Sequence, residues 1–172
     1  MEKNEGIYLR PIREDDTADI IRWRNSAKVK QFFIQQDDFT EESHLNWLSN
    51  YVNKGKAVQF IIVDKKSDRS IGSVYIKDID MIHKKAEYGI FIGEEQNQGK
   101  GYGTEAARLM IDYAFNILKL HRIYLRAYTD NDRAIASYKK AGFEVEGVLK
   151  DDVFVRGKYR DMTWMSIINQ AD

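Results

Sequence analysis

The segment Gln98-Gly99-Lys100-Gly101-Tyr102-Gly103-Thr104 lies between a strand-like run at 86–92 and a periodic apolar segment that begins at Ala106. Its three glycines allow the backbone to approach a ligand closely, and its amides converge where a helix is expected to begin. The positive end of that helix dipole favours an anion such as a pyrophosphate. An ordinary flexible loop is the alternative interpretation. The glycine spacing fits neither G-x-x-x-x-G-K-S/T nor G-x-G-x-x-G, which excludes two familiar phosphate-binding loops.

The elements around this loop mix strands and helices without strict alternation. Apolar runs bounded by turn residues predict strands at 7–11, 58–63, 71–76, 86–92, 123–128, 143–149, 153–155 and 159–168. Helical spacing and capping residues predict helices at about 15–25, 40–52, 106–117 and 131–141. We therefore expect an α/β or α+β fold with a mixed central sheet of about six to seven strands flanked by helices. A single domain is expected over residues 1–172, because the sequence contains no linker or internal repeat.

Composition narrows the possible functions. The 27 Lys and Arg residues balance 27 Asp and Glu residues, so there is no basic field for nucleic acid or anionic lipid. The absence of Cys excludes disulfides, thiolate metal sites and a cysteine acyl carrier, and the three scattered His residues predict no metal site. The first ten residues lack an apolar signal segment, and no apolar run approaches the ~20 residues that span a bilayer. We expect a cytoplasmic protein that binds neither nucleic acid nor membrane.

A second motif, N-D-R-A-I-A-S-Y-K-K-A-G-F, occupies residues 131–143. Asn131 can cap a helix, Ala134 and Tyr138 share one face of it, and Gly142 can end it. Each of these features is also compatible with plain packing. The motif follows a predicted strand that itself follows the helix of the glycine loop, which places both motifs in one structural unit.

Together, Q-x-x-G-x-G at 98–103 and N-x-x-A-x-x-x-Y-x-x-x-G-F at 131–143 resemble the GNAT family of N-acetyltransferases, and the resemblance covers nearly the whole chain. It implies a GNAT-type domain with acetyl-CoA as cosubstrate. It also implies a V-shaped splay at the acetyl-CoA site, where the strand before the loop separates from its neighbour at a bulge. The cofactor-binding residues that it implies are Phe91, Ile92, Gly93, Gln98, Gly99, Lys100, Gly101, Tyr102, Gly103, Thr104, Asn131 and Ala134.

The resemblance also indicates catalytic residues. Aminolysis of a thioester needs a neutral amine, a polarised carbonyl and a proton for the departing sulfur. Tyr138 matches the tyrosine that often lies beside the sulfur as proton donor, with a core tyrosine as the alternative. Glu87 is the candidate base, with a surface pair to Lys84 or Lys85 as the alternative; His83 is a second candidate, with a surface turn as its alternative. Because the chain lacks Cys, acetyl should pass directly to the amine.

The acceptor is expected to be a small-molecule amine. Trp23-Arg24-Asn25 and its neighbours resemble the bacterial acetyltransferases of UDP-linked 4-amino sugars, so these three residues are the expected substrate-binding residues, with buried helix surface as the alternative. Residues 112–113 and 157–160 resemble the spermidine acetyltransferases, and the ribosomal-protein N-terminal acetyltransferases share the overall pattern. A non-catalytic acyl-CoA-binding protein is the alternative from a different class. The oligomeric state stays open, with a homodimer as the assembly considered.

Overall fold

The computed structural model describes residues 6–171, and its elements follow the predicted order. Residues 1–5 and 172 lie outside the described residues. The ends of the predicted domain (1–172) and the first half of the N-terminal stretch assessed for a signal segment therefore lie outside them as well. The strands are β1 (Ile7–Pro11), β2 (Val58–Asp64), β3 (Arg69–Asp80), β4 (Lys85–Ile92), β5 (Arg122–Tyr128), β6 (Glu144–Val155) and β7 (Lys158–Ile168). The helices are α1 (Thr17–Asn25), α2 (Ala27–Lys30), α3 (Glu41–Trp47), α4 (Tyr102–Asp112) and α5 (Asp132–Ala141).

The strands form one mixed sheet, as the sequence predicts. Within residues 6–171 the sheet has seven strands in the order β1-β2-β3-β4-β5-β7-β6. Every neighbouring pair is antiparallel except β4 and β5, which run parallel. The parallel pair therefore lies in the middle of the sheet, with antiparallel hairpins on either side.

Local capping explains where several helices begin. Thr40 accepts a hydrogen bond from the Ser43 amide at 3.1 Å, while Ser43 Oγ accepts one from the Thr40 amide at 2.9 Å, so the two residues form a reciprocal cap for α3. Either Asp15 or Asp16 is a possible cap for α1 from the sequence, but the Asp16 side chain, at the N-cap position, makes no capping hydrogen bond to that helix. It is buried and instead accepts two hydrogen bonds from Arg10, at 2.6 and 2.9 Å, because a buried carboxylate needs a charged partner.

Two predicted strands prove to be one. The runs at 143–149 and 153–155 are both part of β6, which pairs along β7 with a shift of register between Leu149 and Val153. Asp151, in that shift, has a φ of 51°, and its amide donates to Asp161 on β7 at 2.8 Å. The irregularity therefore bends β6 without ending it.

The helices cover both faces of the sheet. Helices α4 and α5 pack on one face over a cluster that includes Met110, Leu125 and Phe143. Helices α1 and α2 pack on the other face over Ile61 and Phe91. None of the helices in the described region combines the length and apolarity that a membrane-spanning segment needs.

Candidate active site

The predicted V-shaped splay is present between β4 and β5. In the described structure these strands pair at three positions: Lys85 with Arg122, Ala86 with Ile123 and Glu87 with Tyr124. Beyond these positions both strands continue but no longer pair with each other. A cavity of about 560 Å³ occupies the gap. Its dimensions are within the range typical of small-molecule and cofactor sites.

The expected bulge lies in a different strand from the one predicted. Strand β4 pairs regularly with β3 from Glu87 to Ile92, and the register shifts between Lys77 and Asp80 of β3. Asp78, inside that shift, has a φ of 51°. Strand β4 therefore has no bulge between Glu87 and Ile92, the stretch along which it separates from β5.

The glycine loop forms one wall of the cavity at the start of α4. Gly101 precedes the first turn of α4 with a φ of +84°, a conformation that L side chains rarely adopt. A side-chain carbon built on Gly101 meets no protein atom within 4 Å, so the space above it is open to a ligand. The first amides of α4 point along the helix axis without intrahelical partners, which makes this wall suited to an anion.

Helix α5 forms the facing wall. Asn131 Oδ1 caps α5 by accepting from the Ala134 amide at 3.3 Å, and Ser137 Oγ lies 3.0 Å from Thr104 Oγ1 of α4. Arg133 reaches the glycine loop, because its Nη2 lies 3.2 Å from the position of a side-chain carbon on Gly99. The guanidinium and the loop amides thus face the same space, an arrangement that fits the pyrophosphate of acetyl-CoA.

Most of the cofactor-binding residues expected from the sequence line this cavity. Those that do are Phe91, Ile92, Gln98, Gly99, Gly101, Gly103, Thr104, Asn131 and Ala134. Three others are not part of the cavity lining, so the side chains of Lys100 and Tyr102 do not face the cavity, whereas contact of the cofactor with the backbone of these residues stays a prediction. Tyr102 is buried in the core under α4, Lys100 faces a second depression beside Arg69, and the Gly93 amide donates to Ile71 at 2.8 Å.

Glu87 lies at the point where β4 and β5 part. Its residue exposure is 9%, and its carboxylate accepts a hydrogen bond from Arg126 Nε at 3.0 Å, with Lys77 Nζ 3.6 Å away. The alternative of a surface pair with Lys84 or Lys85 is therefore wrong, since the partners come from β3 and β5. A carboxylate in the wall of the cavity can hold an ammonium group or accept its proton.

Tyr138 faces the cavity from α5. Its ring packs against Tyr88 and Phe143, with centroid distances of 6.1 and 6.0 Å. Burial raises the pKa of the Tyr138 phenol, with Tyr75 as a smaller cause, so the hydroxyl stays protonated at neutral pH. It therefore holds a proton in the wall of the cavity.

The second candidate base, His83, lies in the turn between β3 and β4. The residue is exposed, outside the cavity, and its backbone amide donates to Asp80 Oδ1 at 2.9 Å. Its alternative interpretation as a surface turn residue is confirmed.

Across the described part of the chain, no group of three or more His, Cys, Asp and Glu side chains is arranged to hold a metal ion.

The expected acceptor residues on α1 do not line the cavity that the described residues form. Trp23 is 1% exposed and covers Gly93, where any side chain would overlap its ring, and its Nε1 donates to Glu94 at 2.9 Å. The Asn25 amide group is paired with both backbone groups of Phe39. Both side chains thus hold the N-terminal helices in place, which corrects the expectation that they contact substrate.

Arg24 is also enclosed by its own helices. Its guanidinium carbon lies 3.8 Å from the ring centroid of Phe33 and 4.8 Å from that of Phe39. Burial lowers the pKa of Arg24, with a smaller opposing effect of Tyr75. The cation is thus stabilised by aromatic faces in the place where a phosphate contact was expected.

The far end of the cavity is formed by residues that the sequence did not reveal as a group. Phe33 follows α2, Tyr75 and Lys77 lie on β3, and Arg126 and Tyr128 lie on β5. No motif joins them, because the three segments that contribute them lie tens of residues apart and meet only in the folded chain. The one sequence signal that could have suggested those on strands is that successive side chains of a strand point to opposite faces of the sheet, so that residues two apart share a face.

Comparisons with known proteins agree with this geometry. The model of the "Acetyltransferase (GNAT) domain" family matches residues 7–144. The spermidine N(1)-acetyltransferase of Escherichia coli K12 is 32% identical over 169 residues, covering 97% of this chain and 88% of that protein. The crystal structure of the Vibrio cholerae spermidine N-acetyltransferase in complex with CoA and spermine has a TM-score of 0.88 and 28% identity, covering 96% of each chain. A dodecameric structure of the Vibrio cholerae enzyme has a TM-score of 0.80 and 27% identity, covering 96% and 95%.

A split mixed sheet with an anion-binding glycine loop in the split defines an acyl-CoA-dependent acyltransferase. The chain belongs to the GNAT acetyltransferase family. It is an acetyl-CoA-dependent N-acetyltransferase, and the residues that line its cavity fit that cosubstrate.

Proposed function

We propose that the acceptor is a polyamine of the spermidine type, acetylated on a primary amine. The observation that carries this proposal is the similarity to spermidine acetyltransferases over 97% of the chain, which includes both walls of the cavity. The comparisons do not support a UDP-linked 4-amino sugar, the acceptor that the α1 segment suggested. Fold-level likeness by itself does not select an amine, so the acceptor needs a direct assay.

We assign the acceptor end of the cavity to Phe33, Tyr75, Lys77, Glu87 and Arg126. Glu87 lies in the cavity wall at the point where β4 and β5 part, and this position supports a role in accepting the proton of the ammonium group. The resulting neutral amine attacks the thioester carbonyl, the carbon–sulfur bond breaks, and the nitrogen releases its second proton to solvent as it becomes an amide. Acetyl passes directly to nitrogen, since the sequence contains no Cys to carry it.

Tyr138 is assigned as the donor of the proton that the departing sulfur takes up. Burial raises the pKa of its hydroxyl, which therefore keeps its proton at neutral pH. The two proposed groups approach the reacting centre from opposite sides: Glu87 comes from the sheet, whereas Tyr138 comes from α5. Separate base and acid groups on two walls suit a reaction in which the amine loses a proton and the sulfur gains one.

One observation favours a second candidate acceptor, an amine that also carries negative charge, such as a nucleotide-linked amino sugar. Among the described residues, the cavity wall includes one carboxylate, Glu87, which Arg126 and Lys77 already neutralise. A polyamine with several positive charges would gain more from unpaired carboxylates. The surrounding cations would attract a phosphate instead.

A thiol-release assay with acetyl-CoA discriminates these acceptors. The panel contains spermidine, a UDP-linked 4-amino sugar and a peptide with a ribosomal-protein N-terminus, each compared by kcat/KM. We expect spermidine to have the highest value. A higher value for the amino sugar would establish the second candidate, and a higher value for the peptide would establish the ribosomal alternative. Binding of CoA without turnover of any amine would indicate a non-catalytic acyl-CoA-binding protein.

We also propose that the chain assembles with copies of itself. Strand β6 is an edge of the sheet, and it exposes Val145, Val148, Leu149 and Phe154, with exposed fractions between 42 and 64%. An apolar edge strand is a ready surface for pairing with another chain. Light scattering after size-exclusion chromatography tests this, with a dimer or a larger assembly expected and a monomer as the contradicting result.

The location of the protein in the cytoplasm, expected from the sequence, stays a prediction.

A further inference from the structure

The side chain of Tyr75 extends from β3 over β4, the strand that borders the gap in the sheet. Tyr75 pairs with Gly89 in the register of β3 and β4. A side-chain carbon built on Gly89 would lie 2.3 Å from Cζ of Tyr75 and 2.5 Å from its hydroxyl oxygen. Neighbouring strands lie about 4.8 Å apart, so a phenol that starts on β3 and ends above Gly89 covers the whole distance between them. Glycine at position 89 thus leaves the slot in which the end of the Tyr75 ring lies.

The Tyr75 side chain lies on the same face of the sheet as Glu87. Residues two apart in a strand share a face, so Glu87, Gly89 and Phe91 of β4 belong to one row. Phe91 packs under α1 and α2, and Tyr75 packs against the same cluster. The glycine loop and α5 lie on the opposite face, over the other cluster. The cavity is lined from both faces, and Tyr75 belongs to the end that also holds Glu87.

The Tyr75 hydroxyl is free to contact a ligand. Within residues 6–171 no protein group forms a hydrogen bond with it. It is not one of the enclosed, unpaired polar atoms of this region, so it is open to the cavity that the residue lines. Burial raises the pKa of Tyr75, while Arg24 lowers it and Glu87 raises it by smaller effects. The phenol therefore keeps its proton at neutral pH, and its oxygen offers lone pairs to a donor.

We propose that the Tyr75 hydroxyl binds the acceptor amine. Its oxygen accepts a hydrogen bond from one N–H of the amine, which holds the nitrogen beside Glu87. An ammonium group and a neutral amine both carry N–H donors, so the contact persists when Glu87 takes up the proton. The inference rests on the proposed acceptor end of the cavity, and it holds for any of the amines considered above.

A neutral hydroxyl suits this position better than a second carboxylate. A negative charge beside the amine would favour the ammonium form, which has no lone pair to attack a carbonyl. A phenol orients the nitrogen and leaves the proton transfer to Glu87. The Tyr75 ring is also held in place, since it lies against Gly89 and meets Trp47 edge to face with centroids 6.4 Å apart. A contact that is fixed before the acceptor arrives costs less ordering entropy on binding.

Tyr75→Phe tests the contact, because it removes the hydroxyl and keeps the ring in its slot. The KM of spermidine, or of the panel amine with the highest kcat/KM, is measured at saturating acetyl-CoA. We expect this KM to rise about tenfold, the loss of one hydrogen bond to a charged group. The kcat should change little, because the contact exists before and during the reaction, and the affinity for CoA should stay within twofold. Tyr113→Phe is the matched control, since that ring packs on Phe60 outside the cavity.

Gly89→Ala is an independent test, because it displaces the hydroxyl without removing it. The added methyl group would overlap the end of the Tyr75 side chain, which can rotate away while β3 and β4 stay paired. The acceptor KM should rise about as much as in Tyr75→Phe, and the double variant should show no further rise, since both changes remove the same contact. Gly147→Ala on β6, where an added carbon meets nothing within 4 Å, is the control and should match the parent. If Gly89→Ala does not fold, Tyr75→Phe decides the question alone.

The contradicting results are distinct. A parent-like acceptor KM for Tyr75→Phe would overturn the inference, and so would a lower kcat at unchanged KM, which would assign the hydroxyl to the thioester. If Glu87→Gln is slow and Tyr75→Phe is normal, only the role of Tyr75 fails. If spermidine is a poor acceptor and Tyr75→Phe raises the KM of the preferred amine, the polyamine proposal fails and this inference stands. Turnover of no amine would contradict both.

Discussion

Arg126 Nε donates a hydrogen bond to Glu87 Oε1 at 3.0 Å, just beyond the last paired position before β4 and β5 diverge. Lys77 lies on the other side of the same carboxylate, with its Nζ 3.6 Å from Oε2. Three neighbouring strands thus contribute one charged residue each to the apex of the V-shaped splay. Since Glu87 is nearly buried, its charge depends on these two cations for compensation.

Replacing Glu87 by Gln keeps the shape of the side chain and removes its charge. We expect kcat/KM to fall by about 10²- to 10⁴-fold if Glu87 accepts the amine proton, because general-base contributions have that size. The affinity for CoA should stay near the parent value, and raising the pH should restore part of the rate by supplying neutral amine. Glu144→Gln on β6, where the residue is exposed, is the control and should be neutral. Full activity of Glu87→Gln at pH 7 would remove Glu87 from the mechanism.

Gly101→Val should weaken binding of CoA. Valine adopts a φ of +84° with strain, and its side chain would occupy the open space that faces the ligand. Gly55→Val is a matched control, because Gly55 also has a positive φ, +69°, and nothing within 4 Å of an added side-chain carbon. Both variants should lose a similar amount of stability, about 1–2 kcal/mol. Calorimetry should show lower CoA affinity for Gly101→Val alone; equal affinities would reject the placement of the pyrophosphate.

Tyr138→Phe should retain the fold and CoA binding while turnover falls. The substitution removes only the proposed proton donor, a role typically worth about 10²–10⁴ in rate. Because the phenol pKa is raised, the parent rate should show no loss from Tyr138 ionisation between pH 7 and pH 9. The measurement needs conditions in which the chemical step limits the rate. A parent-like rate under those conditions would make Tyr138 a packing residue.

His44 should make stability depend on pH. The side chain is fully buried, its Nδ1 lies 2.9 Å from Thr17 Oγ1, and its Nε2 has no partner in the described region. Burial lowers its pKa below 6.5, with Asp16 raising it and Arg24 lowering it by smaller effects. As the pH falls below about 6.5, the unfolded chain binds a proton that the folded chain refuses, so stability decreases. Stability from this group is fully present above that pH.

Thermal midpoints measured between pH 5 and pH 8 test this dependence. His44→Asn places an amide near the position of Nδ1 and should flatten the curve over that range, even if its midpoints are lower. His83→Asn is the control, because that residue is exposed in a turn and its replacement should leave the slope unchanged. An identical slope for His44→Asn and the parent would assign the dependence to other groups.

The cofactor half of the site could be predicted because its residues are contiguous in the sequence. The glycine loop leads directly into α4, and Asn131 to Tyr138 occupies two turns of α5, so local geometry alone brings these groups to the ligand. Side-chain direction was harder to predict within the same stretch. Tyr102 lies beside Gly101 and Gly103, yet the first turn of α4 directs it into the core.

The sequence by itself determined the fold family, the splayed sheet, the glycine loop and the placement of Glu87 and Tyr138 in one cavity. The acceptor end was decided only by the tertiary structure. Trp23, Arg24 and Asn25 are adjacent in the chain, but a helix turns about 100° per residue, so their side chains leave α1 toward Gly93, Phe33 and Phe39 in turn. Lys77, Glu87 and Arg126 are distant in the chain and meet because their strands pair, and pairing register is a property of the whole sheet.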